Sequence, residues 1–179
     1  MTDSSSEKSL FSLAQIQHLM RVEFNRAQRY DYPISCLMVA VDRLGHLRDM
    51  YGYEAKEEII DAIVELLKGA TRSSDFLGRL ADDRLLAVVP HTGKTGVESM
   101  CGRLLEATKG IHFANQDRTI PVSISIGAAS DGSEHGPSAK GERTMFFDTL
   151  IQTAEDALND AIEDGGSRLV VLDPGPSGA

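Results

Sequence analysis

Apolar positions along the chain follow two spacings, one typical of amphipathic helices and one typical of buried strands. The pattern predicts helices over 12–29, 44–51, 54–70, 97–109 and 146–163, and strands over 34–41, 78–80, 85–89, 111–114, 119–129 and 168–172. Two pairs of these strands form hairpins, and hairpins place neighbouring strands antiparallel. We therefore expect an α+β fold with helices packed on a largely antiparallel sheet.

Two elements have the most informative patterns. Residues 34–41 (ISCLMVAV) form an unbroken apolar run, which predicts a strand covered on both faces. Residues 54–70 have a helical stripe of buried positions and a polar face. The predicted buried stripe is Ile59, Ile60, Ile63, Leu66 and Leu67, and the face predicted to meet water is Lys56, Glu57, Glu58, Asp61 and Glu65.

The length of 179 residues and the absence of repeats predict one domain. We assign residues 11–172 to it, with disordered tails over 1–10 and 173–179. The glycine- and serine-rich stretch 130–142 is predicted to be a flexible loop.

Charge and composition narrow the classes of function. The net charge of −9 argues against a nucleic-acid partner, because such partners require a basic surface. No apolar run approaches the roughly 18 residues of a membrane span, and the N-terminus lacks a signal-peptide core, so we expect a cytoplasmic protein without membrane insertion. Cys36 and Cys101 have no metal-binding spacing and are predicted to be buried thiols. The five histidines (His18, His46, His91, His112 and His135) are scattered, and we assign none a role.

Residues 78–90, GRLADDRLLAVVP, contain two short apolar runs around a charged turn. A tight hairpin turn requires positive φ at one or more positions, which glycine or asparagine usually provides. Here the candidates are Ala81, Asp82 and Asp83. The pattern predicts a hairpin and raises the question whether its carboxylates hold a metal ion.

The order of elements and several local patterns resemble the GGDEF domain of diguanylate cyclases. The matching stretches are 26–42, 50–53, 71–75, 78–92, 122–129 and 154–171, of which VSISIGAA at 122–129 is the clearest. The resemblance implies the palm-like α+β fold of nucleotide cyclases. It also implies relatives that condense two GTP molecules into cyclic di-GMP.

On this resemblance, the signature turn falls on Ala81, Asp82, Asp83, Arg84 and Leu85, so it is degenerate. The family's metal-binding aspartate on the first core strand matches Ala40. Its second metal ligand matches Asp83, and its signature glutamate matches Arg84, which reverses the charge. A cation at that place would repel Mg²⁺.

The resemblance also places the substrate contacts. The family's guanine-binding asparagine and aspartate match Arg48 and Glu57, and its phosphate-binding lysine and arginine match Ile162 and Gly166. These differences lead to the prediction that the chain is not an enzyme and holds neither a catalytic metal nor a cofactor.

One alternative is a shifted cation site formed by Asp42, Asp82 and Asp83, since strand alternation places Asp42 on the face of Ala40. We favour a simpler interpretation in which Asp42 caps the following helix and the other two aspartates are solvated. Arg79 and Arg84 are predicted to be surface charges of the hairpin.

Many members of the family bind cyclic di-GMP at an RxxD sequence five residues before the signature. Arg72 and Asp75 match that spacing, and Arg103 matches an arginine that completes such sites. Arginine can bridge a phosphate or a guanine edge, and aspartate can accept hydrogen bonds from guanine. The alternative is local: Arg72 complements the end of the preceding helix and Asp75 caps or pairs nearby.

The sequence is consistent with three functions. The first is a catalytically inactive receptor or effector for cyclic di-GMP that uses Arg72, Asp75 and Arg103, in which ligand dimers could join two chains into a homodimer. The second is an adaptor that binds a protein partner and no nucleotide. The third is a residual diguanylate cyclase.

Overall fold

The computed structural model describes residues 13–115, 118–132 and 145–174. In chain order the elements are α1 (Leu13–Tyr30), β1 (Ile34–Val41), α2 (Leu44–Tyr51), α3 (Tyr53–Ala70), β2 (Phe76–Arg79), β3 (Leu85–Pro90), α4 (Lys94–Thr108), β4 (His112–Asn115), β5 (Arg118–Pro121), β6 (Ile124–Asp131), α5 (Phe147–Glu163) and β7 (Leu169–Val171). The predicted tail 1–10, residues 133–142 of the predicted loop and residues 175–179 of the predicted C-terminal tail lie outside the described residues.

The central sheet has the strand order β2-β3-β1-β6-β7. Strand β1 lies in the middle, antiparallel to β3 on one side and to β6 on the other. Only the pairing of β6 with β7 is parallel among these strands. Strands β4 and β5 form a separate hairpin. The architecture is the α+β arrangement that the element order predicts.

Helices cover both faces of the sheet. Leu37 and Val39 of β1 pack on one face, which is covered by α3 and α4. Cys36 and Met38 point to the opposite face, which is covered by α1 and α5. Seven of the eight residues of β1 are buried, which confirms the prediction of a strand covered on both sides.

The predicted single strand over 119–129 is wrong. The structure divides it at Pro121, where β5 ends, and β6 begins at Ile124. Proline has no backbone N–H to donate, so a ladder is readily interrupted there. The two halves then pair with different partners, β5 with β4 and β6 with β1.

Helix α5 crosses β6 at very short range. A Cβ atom built on Gly127 would lie 2.1 Å from the backbone nitrogen of Leu158 and 2.3 Å from the carbonyl oxygen of Ala154. Both obstacles are backbone atoms, which cannot rotate away. Glycine is therefore required at 127 by the packing of the helix on the sheet.

Candidate functional site

The turn between β2 and β3 is a three-residue hairpin loop. Its closing hydrogen bonds run from the Leu80 nitrogen to the Arg84 oxygen (2.8 Å) and from the Asp83 nitrogen to the Leu80 oxygen (3.0 Å). Of the candidates for positive φ, Asp83 adopts it, with φ of 68°. Aspartate tolerates this left-handed conformation better than most residues. The turn therefore forms without the usual glycine.

The carboxylate of Asp83 is held by two cations. Lys56 Nζ of α3 lies 2.8 Å from Asp83 Oδ2. Arg79 approaches Asp83 Oδ1 with Nη2 at 2.6 Å and Nε at 3.1 Å. Asp83 is consequently an ion-paired residue, and the prediction of a solvated turn carboxylate is wrong. The prediction that Lys56 faces water is also wrong, because only 8% of the residue is exposed.

Glu57 completes an ion-pair cluster with Lys56, Arg79 and Asp83. Arg79 donates to both carboxylate oxygens of Glu57, at 2.8 and 3.0 Å, in the bidentate geometry that suits a guanidinium. These hydrogen bonds lower the pKa of Glu57 to about 2. The hydrogen bond to Asp83 raises the pKa of Lys56, and the hydrogen bonds to Glu57 raise the pKa of Arg79. Arg79 thus belongs to this ion-pair cluster, and the prediction that it is a surface charge of the hairpin is wrong.

Arg84 connects the turn to α5. Its Nε lies 2.6 Å from Asp82 Oδ2 and its Nη1 lies 2.9 Å from Glu155 Oε1. Burial disfavours the charge of Arg84, but hydrogen bonds to Glu155 and Asp82 outweigh burial and raise its pKa. The side chain is three-quarters buried, so the prediction of a hairpin surface charge is wrong for Arg84 as well.

Asp42 does not cap α2. The N-cap position of α2 is Arg43, whose side chain makes no capping hydrogen bond. Asp42 instead accepts hydrogen bonds from the Ser125 hydroxyl (2.5 Å), the Ser123 hydroxyl (2.6 Å) and the Ser167 backbone nitrogen (2.9 Å). Its carboxylate thereby ties the end of β1 to the start of β6 and to the turn between α5 and β7.

The positions matched to a metal site do not fit a divalent cation as they are arranged here. Both carboxylate oxygens of Asp83 already contact Lys56 or Arg79, and Ala40 offers no side-chain ligand. Across residues 13–115, 118–132 and 145–174, no three His, Cys, Asp or Glu side chains converge on one point, so Asp42, Asp82 and Asp83 do not form the alternative cation site.

Arg72, Asp75 and Arg103 line one cavity of about 240 Å³. Asp75 is buried, and its Oδ2 accepts a hydrogen bond from the Arg72 backbone nitrogen at 2.7 Å. The Arg72 and Arg103 side chains are exposed, and Arg103 Nη1 donates to Ser99 at 3.0 Å. The structure thus brings the three predicted residues together. The hydrogen bond between Asp75 and the Arg72 backbone is also the local pairing that was the alternative to ligand binding.

Both cysteine thiols lie in the interior of the protein. Cys36 and Cys101 are buried as predicted, and burial raises the pKa of both thiols, that of Cys101 to about 12. Within the residues that the structure describes, no helix has the length and apolar character needed to cross a bilayer.

The chain matches the family model described as "Diguanylate cyclase, GGDEF domain" over residues 9–168. Diguanylate cyclase A of Treponema denticola is 21% identical over 164 residues, covering 92% of this chain and 41% of that protein. Diguanylate cyclase DgcM of Escherichia coli K12 is 26% identical, covering 87% of this chain and 33% of that protein. The chain thus spans less than half the length of these curated relatives.

Solved structures show the same fold. The diguanylate cyclase SiaD of Pseudomonas aeruginosa, in complex with its activator SiaC, superposes with a TM-score of 0.80 at 18% identity, covering 92% of this chain and 60% of SiaD. The coiled coil and GGDEF domain of DgcB from Caulobacter crescentus, in complex with cyclic di-GMP, superpose with a TM-score of 0.78 at 11% identity. The match covers 92% of this chain and 83% of the DgcB chain.

These comparisons correct one prediction from the sequence. The prediction that the chain is not an enzyme is contradicted, because the matching family is catalytic and the curated relatives are named diguanylate cyclases. That prediction relied on a few signature positions, whereas the match extends over nearly the whole chain. This chain belongs to the GGDEF domain family of diguanylate cyclases.

Proposed function

We propose that this GGDEF domain acts in cyclic di-GMP signalling by binding cyclic di-GMP at the cavity lined by Arg72, Asp75 and Arg103. The observation that supports the proposal is the convergence of these three side chains, from the α3–β2 turn and from α4, on one cavity. Two exposed guanidinium groups beside a buried carboxylate provide donors for phosphate or guanine oxygens and an acceptor for guanine N–H groups.

The geometry indicates how such a ligand would sit. A cavity of about 240 Å³ is too small for a whole cyclic dinucleotide, so it would receive one edge of the ligand. The rest would lie along the exposed side chains of Arg72 and Arg103. Because the chain carries a net charge of −9, these local arginines must provide the attraction for the phosphates.

Calorimetric titration of the purified chain with cyclic di-GMP tests the proposal. We expect micromolar binding that weakens at least about tenfold in Arg72→Ala and in Asp75→Asn, since hydrogen bonds to charged groups contribute roughly 1.5–3 kcal/mol. Arg29→Ala is the matched control, because it removes an exposed arginine from the end of α1, and its affinity should be unchanged.

Melting temperatures of the variants are measured alongside, so that a loss of folding is separated from a loss of binding. The absence of heat from the wild-type chain at high ligand concentration would refute the proposal. It would leave binding of a protein partner without nucleotide, the adaptor hypothesis, as the function to pursue.

A second candidate function is the synthesis of cyclic di-GMP from GTP, which the names of the curated relatives favour. Incubation of the chain with GTP and Mg²⁺ or Mn²⁺, followed by chromatographic detection of the product, measures it directly. Product formed by the wild-type chain and not by Asp83→Ala would support synthesis at the signature turn.

A further inference from the structure

Helices α1 and α5 lie side by side on one face of the sheet and run antiparallel. At one end of the pair, the Gln28 side chain donates to the Met145 backbone oxygen at 2.8 Å. Further along, Gln17 and Glu155 line the same cavity. The C-terminal end of α5 is therefore near the N-terminal end of α1. We call this pair of helices the α1–α5 layer.

The outer surface of the layer is basic near the C-terminal end of α1. Arg21, Arg26 and Arg29 are exposed, whereas the only carboxylate of α1, that of Glu23, is buried and pairs with Arg26. Among the described residues, the Arg29 guanidinium contacts the ring of Tyr30 and pairs with no carboxylate. We define the arginine patch as Val22, Arg26, Arg29 and Tyr30.

The outer surface is acidic near the C-terminal end of α5. This helix contains no lysine, arginine or histidine. Asp156, Asp160 and Glu163 are exposed, and within the described part of the chain none of them forms an ion pair. Asp160 and Glu163 lie in the last turn, where the negative end of the helix dipole disfavours a carboxylate. We define the acidic patch as Asp156, Asp160, Ile162 and Glu163.

Exposed apolar side chains accompany both patches. Val22 and Tyr30 belong to the arginine patch, Ile162 belongs to the acidic patch, and Phe146 lies beside α1 at the start of α5. These are four of the six large hydrophobic side chains that are exposed in the described residues. Apolar side chains gathered on one surface together with arginine and tyrosine are typical of a protein–protein interface.

The positions of the two patches favour a second copy of this chain as the partner. Arg29 lies about 18 Å along α1 from Gln17, so the patches occupy opposite ends of the layer. A two-fold axis parallel to the outer surface can therefore set the arginine patch of each copy against the acidic patch of the other. Symmetry forms this contact twice, and each contact joins opposite charges flanked by apolar side chains.

We propose that the α1–α5 layer is the interface of a homodimer that forms without ligand. The arginine patch of each copy contacts the acidic patch of the other. The cavity at Arg72 lies against α3 and α4, on the opposite face of the sheet, so it stays open in this dimer. Because the net charge of −9 on each copy opposes association, we expect a weak dimer with a dissociation constant of about 10–100 µM.

Sedimentation velocity of the full chain without nucleotide is the first test. Over loading concentrations of about 5–500 µM, we expect the sedimentation coefficient to rise from that of a monomer towards that of a dimer. A chain that remains monomeric at the highest concentration would overturn the proposal.

Charge reversal tests the two patches. Arg29→Glu and Glu163→Arg each place like charges in both contacts, so each variant alone should associate at least about tenfold more weakly than the wild type. Lys109→Glu is the matched control, because it changes the net charge as Arg29→Glu does but lies at the end of α4, and it should associate like the wild type. An equal weakening by Lys109→Glu would attribute the effect to net charge and overturn the proposal.

An equimolar mixture of Arg29→Glu and Glu163→Arg tests the pairing itself. In the mixed dimer the two reversed patches meet each other, and so do the two unchanged patches. We expect association within about threefold of the wild type, although each variant alone remains largely monomeric. Circular dichroism of each variant confirms that it is folded. A mixture that does not associate, or variants that dimerise as well as the wild type, would overturn the proposed interface.

Discussion

Gly127→Ala is expected to abolish the stable folded state. The new Cβ would lie 2.1 Å from the backbone nitrogen of Leu158, and real Cβ contacts are far longer than this. Helix α5 would have to move away from β6, which would open the buried contacts of Leu150, Ala154 and Leu158. We expect a loss of at least about 4 kcal/mol in the free energy of unfolding, which is exceptional for one methyl group. Urea unfolding followed by circular dichroism measures it.

Gly102→Ala is the matched control for this prediction. Gly102 lies within α4, and a Cβ there would meet nothing within 4 Å. Alanine favours the helix over glycine, so the control should be stabilised by up to about 1 kcal/mol. If Gly127→Ala unfolds at the same urea concentration as the wild type, the close approach of α5 to β6 is incorrect.

Arg79→Ala is expected to lower the free energy of unfolding by about 2 kcal/mol at pH 7. The substitution leaves Glu57 with the more distant Lys56 and deprives Asp83 of one of its two cations. Arg79 and Glu57 are each about one-quarter exposed, so the loss should fall between that of a surface pair and that of a buried pair.

The same pair gives the effect a defined pH dependence. Glu57 has its pKa lowered to about 2, whereas an unfolded glutamate titrates near 4.3. A lowered pKa stabilises the folded state fully above the unfolded value, and this contribution is lost as the pH falls through 2. The difference in the free energy of unfolding between the wild type and Arg79→Ala should therefore shrink as the pH falls from about 4.5 to about 2. This is roughly the range between the unfolded and folded pKa values of Glu57.

Urea unfolding at pH 7, 4 and 2.5 follows this convergence. Arg168→Ala is the control, since among the described residues the exposed Arg168 side chain donates only to the backbone oxygen of Gly166. It should change stability by less than about 0.5 kcal/mol at every pH. If the stability lost in Arg79→Ala is the same at every pH, the pairing of Arg79 with Glu57 does not contribute to the free energy of unfolding.

The sequence predicted the bounds of an element correctly where residues next to that element mark its ends. The bounds of β1 and α2 agree with the prediction residue for residue, because Pro33 and Asp42 delimit the apolar run and Gly52 ends the helix. The division of 119–129 into two strands was missed. An apolar pattern indicates that residues are extended, but it does not show with which strand each half pairs.

The candidate site was predicted only in part. The hairpin and Asp83 could be found from the sequence, but the partners of Asp83 could not. Lys56 was assigned to the polar face of its helix, and periodicity alone does not show that a hairpin 27 residues later covers that face. Arg84 and Glu155 are 71 residues apart, so their pairing depends on the tertiary fold.

The two outer strands of the central sheet are short, which has a consequence for self-association. Strand β2 has four residues and β7 has three, and they form the two margins of the sheet in the described part of the chain. An outer strand exposes unpaired backbone N–H and C=O groups that can template aggregation, and shortness is one way to limit this. Copies of this domain would therefore have little backbone at these two margins with which to extend one continuous central sheet.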